Sequence, residues 1–331
     1  MGLKLGVLIN PSIELNHFDL LKFKTLVIDG YDFLYNALTR IKRQDKILYN
    51  DKGEPISHYL YLLDFIINLL ERKIRPIFIF DNINALNYNI RVKDKIEKIV
   101  EILKKQKSKD KTQKMNTNNM LNNRSINENY VNFIDNISTL IKFLGINTII
   151  SPTNIFQACK KLISEKKAAG IITNDYNCLL FGIHEMYRKL NFENDTLQRI
   201  LLQNVLNSNK INFDQFLAIN LIMGNDYFSN KNSKSYGVKT SLKLIKEFGT
   251  LENLIKHGII NEHDFQEFKN FFITPDSLTL SPEPSNLNRF KAKEYLLKIG
   301  LSQESFEQNL DRLAKAYRNL TFKQTFIDQF L

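Results

Sequence analysis

The sequence predicts an α/β protein built on a mostly parallel central sheet flanked by helices. Three apolar runs carry that expectation. Thr25-Leu26-Val27-Ile28 stops on Asp29, Ile77-Phe78-Ile79-Phe80 stops on Asp81, and Gly170-Ile171-Ile172-Thr173 stops on Asn174-Asp175. Short runs of this kind read as buried strands, and each delivers an aspartate to its carboxyl end, where open α/β sheets place their ligands.

Along the chain, Asp29 is followed by Gly30-Tyr31-Asp32-Phe33-Leu34-Tyr35, a turn that carries a further acid, Asp32. Gly53-Glu54-Pro55-Ile56-Ser57-His58 leads into an apolar helix from Tyr59 to Leu70, with Ser57 placed as an N-cap. After Asp81 the composition changes: a charged stretch from Lys93 to Lys109 precedes an Asn-rich segment from Asn116 to Asn129, poor in apolar residues and expected to be mobile. Ser151 to Gly182 combines a helix-like segment with the strand that ends at Asn174-Asp175-Tyr176-Asn177. A fourth aspartate follows in Met223-Gly224-Asn225-Asp226-Tyr227.

One aspartate after a strand is ordinary turn or capping chemistry. Several converging on one edge repel each other unless cations compensate them, which points to Mg²⁺ and phosphate chemistry. A net charge of +11 and a pI near 9.3 favour a polyanionic partner, nucleic acid before a membrane surface. With 331 residues and 43% hydrophobic content, the chain has enough to bury a full core, as one elaborated domain or two closely joined parts.

Cys159 and Cys178, the only cysteines, sit in apolar surroundings, which suits a reducing compartment and excludes a disulfide framework or zinc spacing. The five histidines, His58 and His184 among them, show no metal-ligand spacing. No run of about 18 apolar residues and no secretion signal is found, so no membrane association is expected. Met1-Gly2 lacks the Ser or Thr that a myristoylation signal requires, since Gly6 occupies that place.

These pieces, in this order, resemble the flap endonuclease family of structure-specific 5′ nucleases, of archaeal and eukaryotic type. The matching segments are Met1-Gly2, the strands ending on Asp29 and Asp81, Gly53 to His58, Ile74-Arg75-Pro76, Ser151-Pro152-Thr153, Asp175-Tyr176-Asn177-Cys178 and Gly224-Asn225-Asp226-Tyr227. The resemblance implies a PIN-like 5′ nuclease fold with a helical arch insertion and a C-terminal helix-hairpin-helix region. It divides the chain into an N-terminal nuclease half (1–81), an arch (82–135), an internal nuclease half (136–227), a helix-hairpin-helix and helical part (228–315) and a clamp-binding tail (323–331).

In the family, seven acids hold two metal ions. The resemblance places Asp29, Asp81, Asp175 and Asp226 on four of those positions, and Asn154, Phe156 and Asn177 on the other three, which have lost their charge. The family's catalytic lysine falls on Tyr88 and its catalytic arginine on Lys95, with Arg91 and Lys93 close by. Tyr35 takes the position of the base-stacking aromatic, and Glu54 and Ser57 those of a pocket for a one-nucleotide 3′ flap. Of the helix-hairpin-helix signature, which in the family binds K⁺ and a duplex phosphate, Gly237 and Lys239 remain; Lys231, Lys234, Lys243 and Lys246 add charge for phosphates. Gln324, Ile327, Phe330 and Leu331 match the short helix that plugs into the sliding clamp (PCNA).

From this follows the leading expectation: a protein that binds branched or flapped DNA in replication and repair, tethered to the sliding clamp, with 5′ nuclease activity lost or strongly weakened. Two alternatives stand beside it. One is an active 5′ flap endonuclease and 5′-3′ exonuclease using Mg²⁺ or Mn²⁺ on the four aspartates, with Asp32 or Gln157 standing in. The other is a non-catalytic scaffold for protein or RNA. The expected setting is intracellular, cytoplasmic at the nucleoid in a prokaryote and nuclear in a eukaryote.

Overall fold

The computed structural model describes residues 3–43, 48–51, 56–82, 123–224, 236–275, 277–280 and 286–327. In chain order the elements are α1 (Leu3–Ile9), β1 (Ile13–His17), β2 (Thr25–Asp29), α2 (Gly30–Arg43), α3 (Ser57–Glu71), β3 (Arg75–Asp81), α4 (Asn123–Phe143), β4 (Asn147–Ser151), α5 (Ile155–Ser164) and β5 (Gly170–Ile172). They continue with β6 (Glu185–Asn191), β7 (Thr196–Leu201), α6 (Leu202–Asn209), α7 (Phe213–Met223), α8 (Val238–Phe248), α9 (Leu251–Lys256), α10 (Glu262–Phe271), α11 (Arg289–Lys298) and α12 (Gln303–Ile327). The strands form a mixed, mostly parallel seven-stranded sheet flanked by helices, as the sequence predicts. Two compact units make up the chain: one holds residues up to Phe18 together with Thr153–Leu280, the other holds most of Asp19–Pro152 together with Ser281–Leu331.

In the second unit, β2, β3 and β4 run parallel, with Thr25 opposite Arg75 and Ile77 opposite Asn147. Their residues are apolar on both faces because helices cover them; Leu26, Val27, Ile28, Phe78, Ile79 and Phe80 are all buried. The chain turns from β2 into α2 without a linking residue, and this fixes Gly30. A Cβ there would lie 2.4 Å from the Phe80 ring and 2.8 Å from the Ile79 carbonyl oxygen. Only glycine lets β2, α2 and β3 meet this closely. On the other side, α3 buries Leu62, Leu63, Ile66, Ile67, Leu69 and Leu70, and Arg312 of α12 grips it through Glu71 at 2.9 Å and Asp64 at 3.5 Å.

His58 sits in this core on α3, its ring 4.1 Å from that of Tyr59 and 5.1 Å from that of Phe133 between centroids. Among the described residues neither ring nitrogen has a hydrogen-bond partner, and burial pushes the pKa down from 6.5 to about 3. Between these two values the unfolded chain binds a proton that the folded chain refuses. This contribution to stability is therefore complete above pH 6.5 and is lost as pH falls from there towards about 3, by up to ~1.4 kcal/mol per pH unit. Urea midpoints at pH 7.5 and pH 5 measure the effect: the wild type is expected to lose more stability on acidification than His58→Phe, and equal losses would refute the assignment.

In the first unit, β5 and β6 are parallel, with Ile171 opposite Met186. β6 and β7 form an antiparallel pair, and β1 joins β7 antiparallel with Ile13 opposite Ile200. β1 comes from the start of the chain and pairs with a strand about 180 residues later, a partnership no local pattern announces. Its entry is held by Asn209, which donates to the Leu8 carbonyl at 2.9 Å, and by Ser12, whose hydroxyl meets that of Ser208 at 2.8 Å. No described helix is long and apolar enough to cross a membrane.

Candidate active site

The candidate site is described within each unit in turn. In the second unit, Asp29 and Asp81 close the adjacent parallel strands β2 and β3. Asp29 stands opposite Ile79, and Asp81 lies two residues beyond on the same face. Both are buried, 1% and 5% exposed. One Asp29 carboxylate oxygen accepts the Asp32 backbone N–H at 2.9 Å, which anchors the first turn of α2. Asp32 in turn accepts the Asn36 amide at 3.1 Å.

In the first unit, Asp175 follows β5 and caps the 3-10 turn Tyr176–Phe181, accepting the Asn177 N–H at 3.0 Å. Its own N–H donates to the Thr173 hydroxyl at 3.1 Å, so Thr173 holds the aspartate's backbone. Asn177 is 3% exposed, and its side-chain amide nitrogen is buried with no hydrogen-bond partner. β5 approaches β6 so closely that a Cβ on Gly170 would stand 2.7 Å from the Glu185 carbonyl oxygen.

Asn154 and Phe156, expected at two further metal positions, are engaged in holding α5. Asn154 is its N-cap, the side-chain oxygen accepting the Phe156 N–H at 2.9 Å. Phe156 is 2% exposed and packs with its ring 5.4 Å from that of Phe181. Gln157 does not stand in for a lost acid: its amide donates to the carbonyls of Phe271 and Ile273, each at 3.0 Å, and so closes the carboxyl end of α10.

Ser57 is not the N-cap of α3. Ile56 holds that place without a side-chain bond, and the Ser57 hydroxyl accepts the Leu48 N–H at 2.7 Å. Tyr35, on α2, is 38% exposed. Gly237 is the N-cap of α8 with an ordinary φ of −69°, and among the described residues nothing lies within 4 Å of a Cβ built on it. Lys239, Lys243 and Lys246 are exposed on α8 at helical spacing that aligns them on one stripe. Gln324 and Ile327 belong to the end of α12. Glu54, Tyr88, Arg91, Lys93, Lys95, Asp226, Lys231, Lys234, Phe330 and Leu331 lie outside the described residues.

Sequence reading missed Thr173 and Arg188. The Arg188 guanidinium lies over the Tyr176 ring at 4.5 Å, next to the residue that precedes Asn177. Its place in the middle of β6 carries no motif, so no signal in the sequence would have found it.

Does this donor set fit a divalent ion? Asp29 and Asp81 form an adjacent buried pair, and Mg²⁺ is often held by one or two carboxylates completed by phosphate and water. Two residues after Asp175, Asn177 is a neutral amide whose side-chain nitrogen is buried without a hydrogen-bond partner among the described residues, so it brings no charge to a cation. Among the described residues no three His, Cys, Asp or Glu side chains converge on one point. Among the described residues the fit is that of one carboxylate pair.

Two family signatures match the chain: one described as XPG N-terminal domain, over residues 1–98, and one described as XPG I-region, over residues 145–226. The chain is 28% identical over 305 residues to flap endonuclease 1 of Methanococcus aeolicus, covering 88% of this chain and 90% of that protein. Of solved structures, flap endonuclease-1 from Methanococcus jannaschii aligns with a TM-score of 0.68 at 22% identity, over 95% of this chain and 98% of that one. The catalytic core of Rad2 in complex with DNA substrate aligns with a TM-score of 0.66 at 18% identity, over 94% and 99%. At such identities the structural likeness speaks for the fold.

Proposed function

This chain belongs to the flap endonuclease family, and from that premise we infer a protein that binds branched or flapped DNA while its 5′ nuclease activity is strongly weakened. The observation that carries the second half is the fate of three side chains. Asn154 caps a helix, Phe156 fills the core, and Asn177 offers an uncharged amide with an unpaired N–H₂.

When bound, a divalent ion in this family's chemistry activates water and stabilises the leaving oxygen. Within the second unit, Asp29 and Asp81 would hold it. With the neighbouring charges absent, occupancy at ordinary Mg²⁺ is low. Mn²⁺, higher in the Irving–Williams order's preference for N/O ligands than the alkaline earths, is the ion expected to rescue residual cutting.

DNA binding needs less of the site. The α8 stripe of Lys239, Lys243 and Lys246 supplies phosphate contacts that depend on charge more than on exact geometry. Gly237, the N-cap at its start, would let a sugar-phosphate backbone approach closely. Tyr35 stacks on a base, Gln324 and Ile327 together with Phe330 and Leu331 tether the chain to a sliding clamp, and the setting is replication and repair.

The experiment is cleavage and binding of a labelled double-flap DNA by the purified chain. Binding that weakens steeply with salt, with cleavage barely detectable in Mg²⁺, is the expected outcome. Rapid flap cleavage in Mg²⁺ that disappears in Asp175→Ala would overturn this reading in favour of a working nuclease.

A further inference from the structure

We propose a second nucleic-acid seat at the amino ends of β2 and β3, which takes single-stranded DNA or RNA on an exposed aromatic ringed by cations. It goes beyond the reading above, because β2 spans five residues and this edge therefore lies about 15 Å along the strands from Asp29.

Two turns build it. Lys22-Phe23-Lys24 precedes β2 and Arg72-Lys73-Ile74 precedes β3, whose first residue is Arg75. These seven residues hold five cations and no acid. The neighbouring acids are occupied: Asp19 pairs with Lys22 at 2.7 Å, and Glu71 with Arg312 at 2.9 Å. The turns are locked together, Phe23 donating its N–H to the Lys73 carbonyl at 2.7 Å and Arg75 donating to that of Lys24 at 2.9 Å.

At the centre stands Phe23, 51% exposed, with the Lys73 ammonium 5.3 Å from its ring centroid. Both residues have left-handed backbone, φ 66° for Phe23 and 63° for Lys73. Lys73 takes that conformation as the residue that ends α3, with the Ile74 N–H on the Leu69 carbonyl at 2.9 Å; at Phe23 a bulky side chain rarely adopts it. Glycine would relieve the strain, and a polar residue would suit the solvent. A phenylalanine there is unfavourable on both counts, unless its ring meets a flat partner.

Bases supply such partners and phosphates meet the surplus positive charge of the two turns, Lys24 first, the combination by which single strands are held without sequence preference. In duplex DNA the bases are stacked on each other, so a lone protruding ring discriminates in favour of a single strand. An acidic protein surface would satisfy the lysines but offers no series of flat rings for Phe23.

The test uses the full chain, a fluorescein-labelled oligo(dT) and a nicked duplex without a flap. Phe23→Gly is expected to melt at or above the wild-type temperature while binding oligo(dT) about fivefold or more weakly, the lower end of what one stacked base contributes. The duplex is expected to bind within about twofold of wild type. Lys24→Glu is expected to flatten the salt dependence of oligo(dT) binding by about 0.7 in slope for one lost phosphate contact. An unchanged oligo(dT) affinity in Phe23→Gly would overturn the proposal. So would an equal loss on oligo(dT) and duplex, or competition by polyglutamate as effective as by unlabelled oligo(dT). Loss of preference for double-flap over nicked DNA in the wild type would instead strike at the function proposed above and leave this seat standing.

Discussion

Asn177→Asp is expected to tighten divalent-cation binding by about thirtyfold and to raise flap cleavage in Mg²⁺ or Mn²⁺ by tenfold or more. A unit charge and a divalent ion about 4 Å apart attract by roughly 8 kcal/mol at an effective dielectric of about 20. A quarter of that, ~2 kcal/mol, corresponds to about thirtyfold in affinity. The position suits the change, because Asn177 is already buried, its backbone already bonds the Asp175 carboxylate, and its amide N–H₂ has no partner to lose.

The same substitution carries a signature that a general effect on folding would not give. A second carboxylate two residues from Asp175 repels it when no cation is present. The variant is therefore expected to melt lower than wild type in EDTA and to gain more from added Mn²⁺. Thermal melts with and without metal, beside a Mn²⁺ titration, measure both halves. Equal metal responses in variant and wild type would show that the missing charge at this position does not limit cation binding.

Phe156→Glu, the analogous restoration at another position, is expected to fail by unfolding the chain instead of repairing the site. The Phe156 ring is 2% exposed and touches Phe181 at 5.4 Å, which meets Phe272 at 4.8 Å, itself 4.9 Å from Phe268. Removing a buried phenylalanine ring costs about 3–5 kcal/mol, and a carboxylate left in its place adds a desolvation cost. A domain with ~5–15 kcal/mol of total stability loses a large share of it.

Urea denaturation read by far-ultraviolet circular dichroism gives the answer, with Phe156→Leu as the size-matched apolar control that should stay close to wild type. A Phe156→Glu midpoint equal to that of the control would mean that the ring is not part of the core. The contrast between the two restorations also orders the changes physically: Asn177 is one atom type away from an acid, whereas Phe156 has been absorbed into a neighbouring cluster.

Much of the fold was legible because its signals are local. A strand that is apolar on both faces announces itself within five residues, as β2 and β3 do, and an aspartate at its end is read in the same window. Gly30 was visible as a letter, but its necessity appeared only when the Phe80 ring was placed 2.4 Å from a Cβ it lacks. The expected stand-in role of Gln157 failed for a similar reason: its carbonyl partners are more than 110 residues away. Ser57, expected to cap its own helix, instead receives a bond from Leu48.

The sequence by itself determined the parallel strands, their terminal aspartates and which positions carry no charge, since each follows from residue type within a short window. Only the tertiary structure decided which polar groups are already engaged, that β1 adds to β7, and that Lys73 lies over the Phe23 ring. The physical reason is that a side chain's hydrogen bonds and ring contacts are set by whichever segment packs against it, and pairings across a hundred residues leave no periodicity in the chain.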